Sequence, residues 1–213
     1  MSEGIPLEPL PRGTLLPEAA RVARLEEAIP LIVAALEGET DAVAAQATLA
    51  CLLWQTLPQC NWCGFYRRVG ERLLAVGPYQ GGMGCLRIPF ERGVCGACAR
   101  EGRTQRVPDV RAFAGHIACD DATRSELVVP VFGGGALRAV LDLDSPHLDA
   151  FGEGEARALE GLLARVFGPI ERWLERFRRG PGGAAPTGRR RAPTRAGRSG
   201  AGGRAGCAGA PRP

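Results

Sequence analysis

Apolar residues recur at helical spacing in the first quarter of the chain and then switch to alternation. From 17 to 37, Val22, Leu25, Ile29, Ile32, Val33 and Leu36 keep a period near that of an amphipathic helix, closed by Gly38. Pro30 removes a backbone donor inside this stretch and predicts a kink. Thr40 is the expected N-cap of a second helix over 41–56, which carries Val43, Ala47, Ala50, Leu53 and Trp54. Beyond it, 61–69 and 72–79 read as strands joined at Gly70–Glu71, a hairpin signal. A short strand is expected at Leu86–Phe90, a short helix over 93–101 closed by Gly102, and another strand at Arg103–Val107.

Residues 108–124 have no steady period and predict a long loop of the kind that carries function. Leu127–Phe132 and Leu137–Asp144 flank Gly133–Gly134–Gly135 and predict a second hairpin. A last amphipathic helix is expected over 153–177 through Leu159, Leu162, Val166, Ile170, Trp173 and Phe177, bent at Gly168–Pro169. This order predicts an α+β single domain: a central, mainly antiparallel sheet flanked by helices from both ends of the chain. Its bounds are 17–177, after an arm over 1–16. Residues 178–213 are Gly, Ala, Pro and Arg with little apolar bulk, and are expected to be disordered.

Charge refines this picture. The net charge is +4, yet nine arginines and no acid lie from Arg178 onward, which leaves −5 for the rest. The expected folded part is mildly acidic, so the case for a nucleic-acid-binding domain is weak. No apolar run is long enough for a membrane span, and the first residues lack the apolar core of a secretory signal, so the cytoplasm is the expected setting. Lysine is absent, which reads as codon bias.

Eight cysteines in a reducing compartment should rest as thiols used for packing, metal binding or redox work. Cys60–x2–Cys63 and Cys95–x2–Cys98 invite a zinc reading, but Cys63 falls inside a strand pattern and Cys98 in mid-helix, where small cysteines usually pack. Cys51 joins them as a packing residue, and Cys207 stands alone in the tail. Cys85, Cys95 and Cys119 each sit at an element edge beside small or polar residues. Cys95 lies in the first turn of a helix, where N–H groups and the dipole favour a thiolate, and Cys119 lies in the irregular loop. Spacing alone leaves redox and packing roles open for these three. His116 could meet Cys119 and stabilise a thiolate, or merely hydrogen-bond within the loop; His147 has no such context.

Asp142 and Asp144 alternate with Leu141 and Leu143, so both carboxylates face one side of a strand. Trp62, Gly64 and Tyr66 share one face of an earlier strand, and Gly64 between two aromatics leaves room for a ligand. Glu126 precedes the strand from Leu127. Taken singly these are solvated acids and core aromatics; converging, they would make a pocket in which carboxylates take an ammonium and an indole takes a thioether methyl.

The segments NWCGFY (61–66), GPYQG (77–81), CLRIPFERGVCG (85–96), VPDVRAFAGHIACDDATRSELVVPV (107–131) and AVLDLDS (139–145) resemble the free methionine-(R)-sulfoxide reductases, a GAF-domain family. The similarity runs over about residues 15–168 with three cysteines in register. It implies Cys119 as nucleophile, Cys85 as its main disulfide partner, and Cys95 as a second resolving thiol. It implies Trp62, Tyr66, Glu126, Asp142 and Asp144 as the substrate pocket. The implied activity is an oxidoreductase acting on free L-methionine-(R)-sulfoxide through a sulfenic acid and a disulfide that thioredoxin reopens. Neither cofactor nor metal is implied, nor a nucleic acid or membrane, and a homodimer is left open. The Gly-rich stretch Gly81–Gly84 departs from the family pattern, and the Arg-rich tail has no counterpart in it. The rival reading is a small-ligand-sensing GAF module without chemistry; no output domain is attached to the terminal helices here, which disfavours it.

Overall fold

The computed structural model describes residues 7–115 and 120–170. The expected elements are present. Helix α1 spans Glu18–Ala35 and α2 spans Ala42–Thr56. Strands β1 (Trp62–Gly70) and β2 (Leu73–Gly81) form a hairpin, followed by β3 (Arg87–Pro89), α3 (Gly93–Glu101) and β4 (Gln105–Val107). A 3-10 turn at Val110–Ala112 lies in the aperiodic stretch before β5 (Ser125–Gly133) and β6 (Ala136–Ser145). Helix α4 covers Glu153–Phe167 and passes into a 3-10 turn, Gly168–Ile170. The expected continuation of this helix to 177, the arm's first residues and the Arg-rich tail lie outside the described residues.

Two local expectations need correction. The N-cap of α2 is Asp41, not Thr40: its carboxylate accepts from the N–H groups of Val43 (2.8 Å) and Ala44 (3.2 Å), while the Thr40 N–H is taken by Glu39. The β5–β6 turn rests on Gly134 and Gly135 alone, both with positive φ (61° and 71°), as a twist-matched two-residue hairpin requires. Gly133 belongs to the strand.

The sheet is antiparallel throughout, in the order β3–β2–β1–β6–β5–β4. It separates two apolar clusters. On one face α1, α2 and α4 pack over Phe65, Leu127, Leu141 and Leu143, and Cys60 and Cys63 are part of this core. On the other, α3 packs over Trp62, Tyr66, Val128 and Val140, with Cys95 and Cys98. The two CxxC pairs thus lie on opposite sides of the sheet and cannot share one tetrahedral metal. The terminal helices are locked together by the buried Arg21–Glu155 ion pair (2.6 Å), whose acid also caps α4 by accepting from the Gly152 N–H (2.8 Å). No helix among the described residues is long and apolar enough to cross a membrane.

Candidate active site

The central strands bring the predicted site residues together on the α3 face. Trp62 and Asp144 are direct partners across β1 and β6, and Glu126 of β5 pairs with Asp144 from the other side. Asp142 lies two residues back on β6, so its side chain shares the face of Asp144. Around them is a cavity of about 310 Å³, lined by Trp62, Tyr66, Cys95, Glu126, Asp142 and Asp144. Met83, Gly84 and Ile88 come from the β2–β3 connection and its strand, and Asp120 and Thr123 from the approach to β5. Four acidic side chains, Asp120, Glu126, Asp142 and Asp144, and no basic one are among the described residues that line it.

The aromatic wall is a stack. Trp62 lies between Tyr66 and Tyr79, with ring centroids 5.4 and 5.3 Å away. Gly64 serves that stack and not a ligand, contrary to expectation: a Cβ there would sit 2.2 Å from the Tyr79 Cβ and 2.8 Å from the Trp62 ring. The missing side chain lets the aromatics close over the strand. Gly64→Ala is therefore expected to cost about 1–3 kcal/mol by overpacking, a fall in Tm of roughly 2–10 °C. A thermal melt checks it, and an unchanged Tm would mean that the aromatic wall gives way freely. The Tyr66 hydroxyl, in turn, accepts from the Cys85 N–H and so ties the loop before β3 to the cavity wall. Gly84 makes room for that hydroxyl, 2.7 Å from where its own Cβ would stand. The Gly-rich stretch thus fits the loop to the aromatic wall.

Electrostatics divides the acids. Burial pushes Glu126 well above the ordinary carboxylate range, and the nearby Asp142 and Asp144 push it further. Asp144 is likewise raised by burial and then by Asp142 and Asp120. Burial raises Asp142 too, but only to about 6, because hydrogen bonds with Cys95, Glu126 and the Leu143 N–H favour its ionised form. The three carboxyls are thus all held above their ordinary range, and the hydrogen bonds to Asp142 favour its ionised form over those of its neighbours. Asp142 is 5% exposed and its Oδ1 has no hydrogen-bond partner; the same is true of the Trp62 Nε1, 4% exposed. Both residues line the cavity, so an unmatched acceptor and an unmatched donor lie in its wall.

The cysteines sort differently from expectation at one position. Cys95 is in the first turn of α3, but its thiol is buried 4.0 Å from Glu126 Oε1. Burial, then Asp142 and Glu126, push its pKa well up, so these outweigh the helix dipole and Cys95 is a thiol, not a thiolate. Cys95, Glu126 and Asp142 present potential ligand atoms within 4.8 Å of one another, the described group close enough to hold a metal ion. Cys60, Cys63 and Cys98 are buried free thiols, raised first by burial, as packing residues should be. Cys85 borders the α3-side core and is disulfide-bonded. Cys119 and His116 lie outside the described residues. Asp120 and Thr123 escape a sequence reading. Asn61, just before β1, reaches both through its Nδ2 (3.0 and 3.2 Å), a link across 59 and 62 residues that no periodicity signals.

A curled antiparallel sheet with terminal helices on one face and a ligand cavity on the other is the architecture of the GAF domain, and residues 40–166 match that family. The chain belongs to it. A free methionine-R-sulfoxide reductase from Neisseria meningitidis, solved in complex with its substrate, is 36% identical with a TM-score of 0.69, over 78% of this chain and 99% of its own. The enzyme of that name from Escherichia coli is 40% identical over 133 residues, 62% of this chain and 80% of the relative. That from Saccharomyces cerevisiae is 36% identical over 137 residues, 61% of this chain and 76% of the relative. Within the GAF family this chain therefore belongs with the free methionine-R-sulfoxide reductases, and it is an oxidoreductase.

Proposed function

We propose that the protein reduces free L-methionine-(R)-sulfoxide to methionine, with Cys119 as nucleophile and Cys85 as resolving thiol. The observation that carries the reading is the acid cavity itself: three buried carboxyls with raised pKa values and an indole, in a volume suited to a single amino acid. Asp142 takes the substrate ammonium on its unmatched oxygen. Trp62 and Tyr66 hold the thioether end. Glu126 and Asp144, whose raised pKa values favour the protonated form, face the sulfoxide oxygen as hydrogen-bond and proton donors.

The Cys119 thiolate attacks the sulfoxide sulfur while a buried acid protonates the oxygen. The oxygen then passes to the cysteine sulfur, methionine leaves, and Cys119 becomes a sulfenic acid. The Cys85 thiol displaces that hydroxyl as water and forms the Cys85–Cys119 disulfide. A dithiol protein, thioredoxin, supplies two electrons and two protons by exchange and returns both thiols. Five of the described cysteines are free while Cys85 is bonded, which supports Cys85 over Cys95 as the main resolving residue. Cys95, buried at the cavity wall, is the reserve. The cycle needs a reducing compartment, and the reading assigns the enzyme to the cytoplasm.

Two results test this scheme. Cys85→Ser should leave the first turnover near normal and slow thioredoxin-supported turnover, measured by rapid mixing against steady state; loss of the first turnover too would give Cys85 a part in the chemistry. An acetylated, amidated methionine sulfoxide, which lacks the ammonium that Asp142 pairs with, should be turned over at least tenfold more slowly, since a charge-assisted hydrogen bond contributes about 1.5–3 kcal/mol. Comparable rates would remove the free amino acid as the substrate.

A further inference from the structure

Cys95 of α3, Glu126 of β5 and Asp142 of β6 each offer a potential metal-ligand atom, and these atoms lie within 4.8 Å of one another. All three residues line the substrate cavity, at 3%, 6% and 5% exposure. They come from three separate elements, and α3 packs against both β5 and β6, so the fold holds the set together. The Asp142 Oδ1 has no hydrogen-bond partner, which leaves this carboxylate with ligand capacity to spare. Cys98, the other half of the CxxC spacing, is not part of the set, and Cys60 and Cys63 lie across the sheet.

One sulfur and two carboxyls discriminate among metals. Magnesium and calcium take shells of about six to eight oxygens. A thiolate beside carboxylates suits zinc, which accepts sulfur at about 2.3 Å and carboxylate oxygen at about 2.0–2.2 Å in a four-coordinate site. Such ligand atoms stand about 3.5 Å apart around a tetrahedral ion, so side-chain shifts on the order of 1 Å close the set. We propose that the cavity binds one zinc ion through Cys95 Sγ, Glu126 and Asp142, with a water as fourth ligand, and that zinc and substrate exclude each other. On binding, the Cys95 thiol gives its proton to solvent, as does any carboxyl that carries one; zinc replaces protons and no electron moves. The exclusion rests on the assignment of Glu126 and Asp142 to the sulfoxide substrate. Free zinc is then a reversible brake on the reductase.

The test uses the full-length chain with Cys207→Ser, which removes the tail thiol, in the oxidised form where Cys85 is disulfide-bonded. Calorimetric titration with Zn²⁺ should give a single site per chain. Co²⁺ in its place should give the near-ultraviolet charge-transfer band of a thiolate ligand. Cys95→Ser should abolish that band, and Cys95→Ser and Glu126→Gln should each weaken Zn²⁺ by roughly tenfold or more. A Co²⁺ spectrum without the thiolate band in the parent protein would overturn the site, as would Zn²⁺ held equally tightly by Cys95→Ser. Free methionine-(R)-sulfoxide should then displace the zinc from the parent protein, followed with a chromogenic zinc indicator. Zinc retained at saturating sulfoxide would overturn the exclusion, whereas failure of the substrate reading itself would show as absent sulfoxide turnover in metal-free, reduced protein.

Discussion

Cys119→Ser is expected to abolish methionine production even in the first turnover, leaving only the uncatalysed background. The argument is one of reactivity. A thiolate must attack sulfur, and the described cysteines offer none at the cavity. Cys60 and Cys63 are on the far side of the sheet. Cys98 is sealed in the core beneath α3. Cys95 reaches the cavity, but burial and two carboxylates keep its proton on. Cys85 is the disulfide partner in the proposed cycle. The measurement is methionine released per mole of reduced protein in one mixing, with no recycling reductant. A Cys119→Ser protein that still releases methionine would move the nucleophile to Cys85 or Cys95.

Asp142→Asn is expected to lower kcat/KM by roughly ten- to a hundred-fold, the cost of one charge-assisted hydrogen bond to the ammonium. Stability should move the other way. The folded pKa of Asp142, about 6, is above its ordinary value of 3.8. A raised pKa contributes stability that is fully present below the unfolded value and is lost as pH rises through the folded one. The apo enzyme should therefore melt at a higher temperature near pH 5 than at pH 7.5. Asp142→Asn should flatten that slope and raise Tm at neutral pH. Activity runs opposite to stability in the wild type: kcat/KM should fall as pH drops through about 6, when Asp142 gains its proton and loses its hold on the ammonium. A melt series and a pH–rate profile on both proteins decide the matter. Unchanged kinetics with an unchanged Tm slope would mean that Asp142 faces no charged ligand.

The elements were legible because their patterns are local. The alternation at Leu141–Asp144 places two acids on one face of a strand, and β6 carries them there. The window for α3 and its Gly102 close match the structure residue for residue, since a left-handed glycine (φ 64°) ends the helix. What the sequence hid is what depends on neighbours. Gly64 looked like an opening for a ligand, yet the cross-strand partner Tyr79 fills it, and that pairing depends on register shifts within the hairpin. Cys95 looked activated because a helix start is visible in sequence, whereas the two acids that hold its proton come from β5 and β6, 31 and 47 residues away. Thr40 and Asp41 are both good caps, and only the geometry of the entering chain chose Asp41.

The most direct measurement is single turnover of the reduced full-length protein on resolved free methionine R-sulfoxide and S-sulfoxide, followed by release of methionine and loss of free thiols. The R isomer should be consumed rapidly, with two thiols lost for each methionine released, and the S isomer should be nearly inert, since a chiral sulfur turned over would aim its oxygen away from Glu126 and Asp144. Equal rates on both isomers, or methionine release with no loss of thiol, would contradict the account.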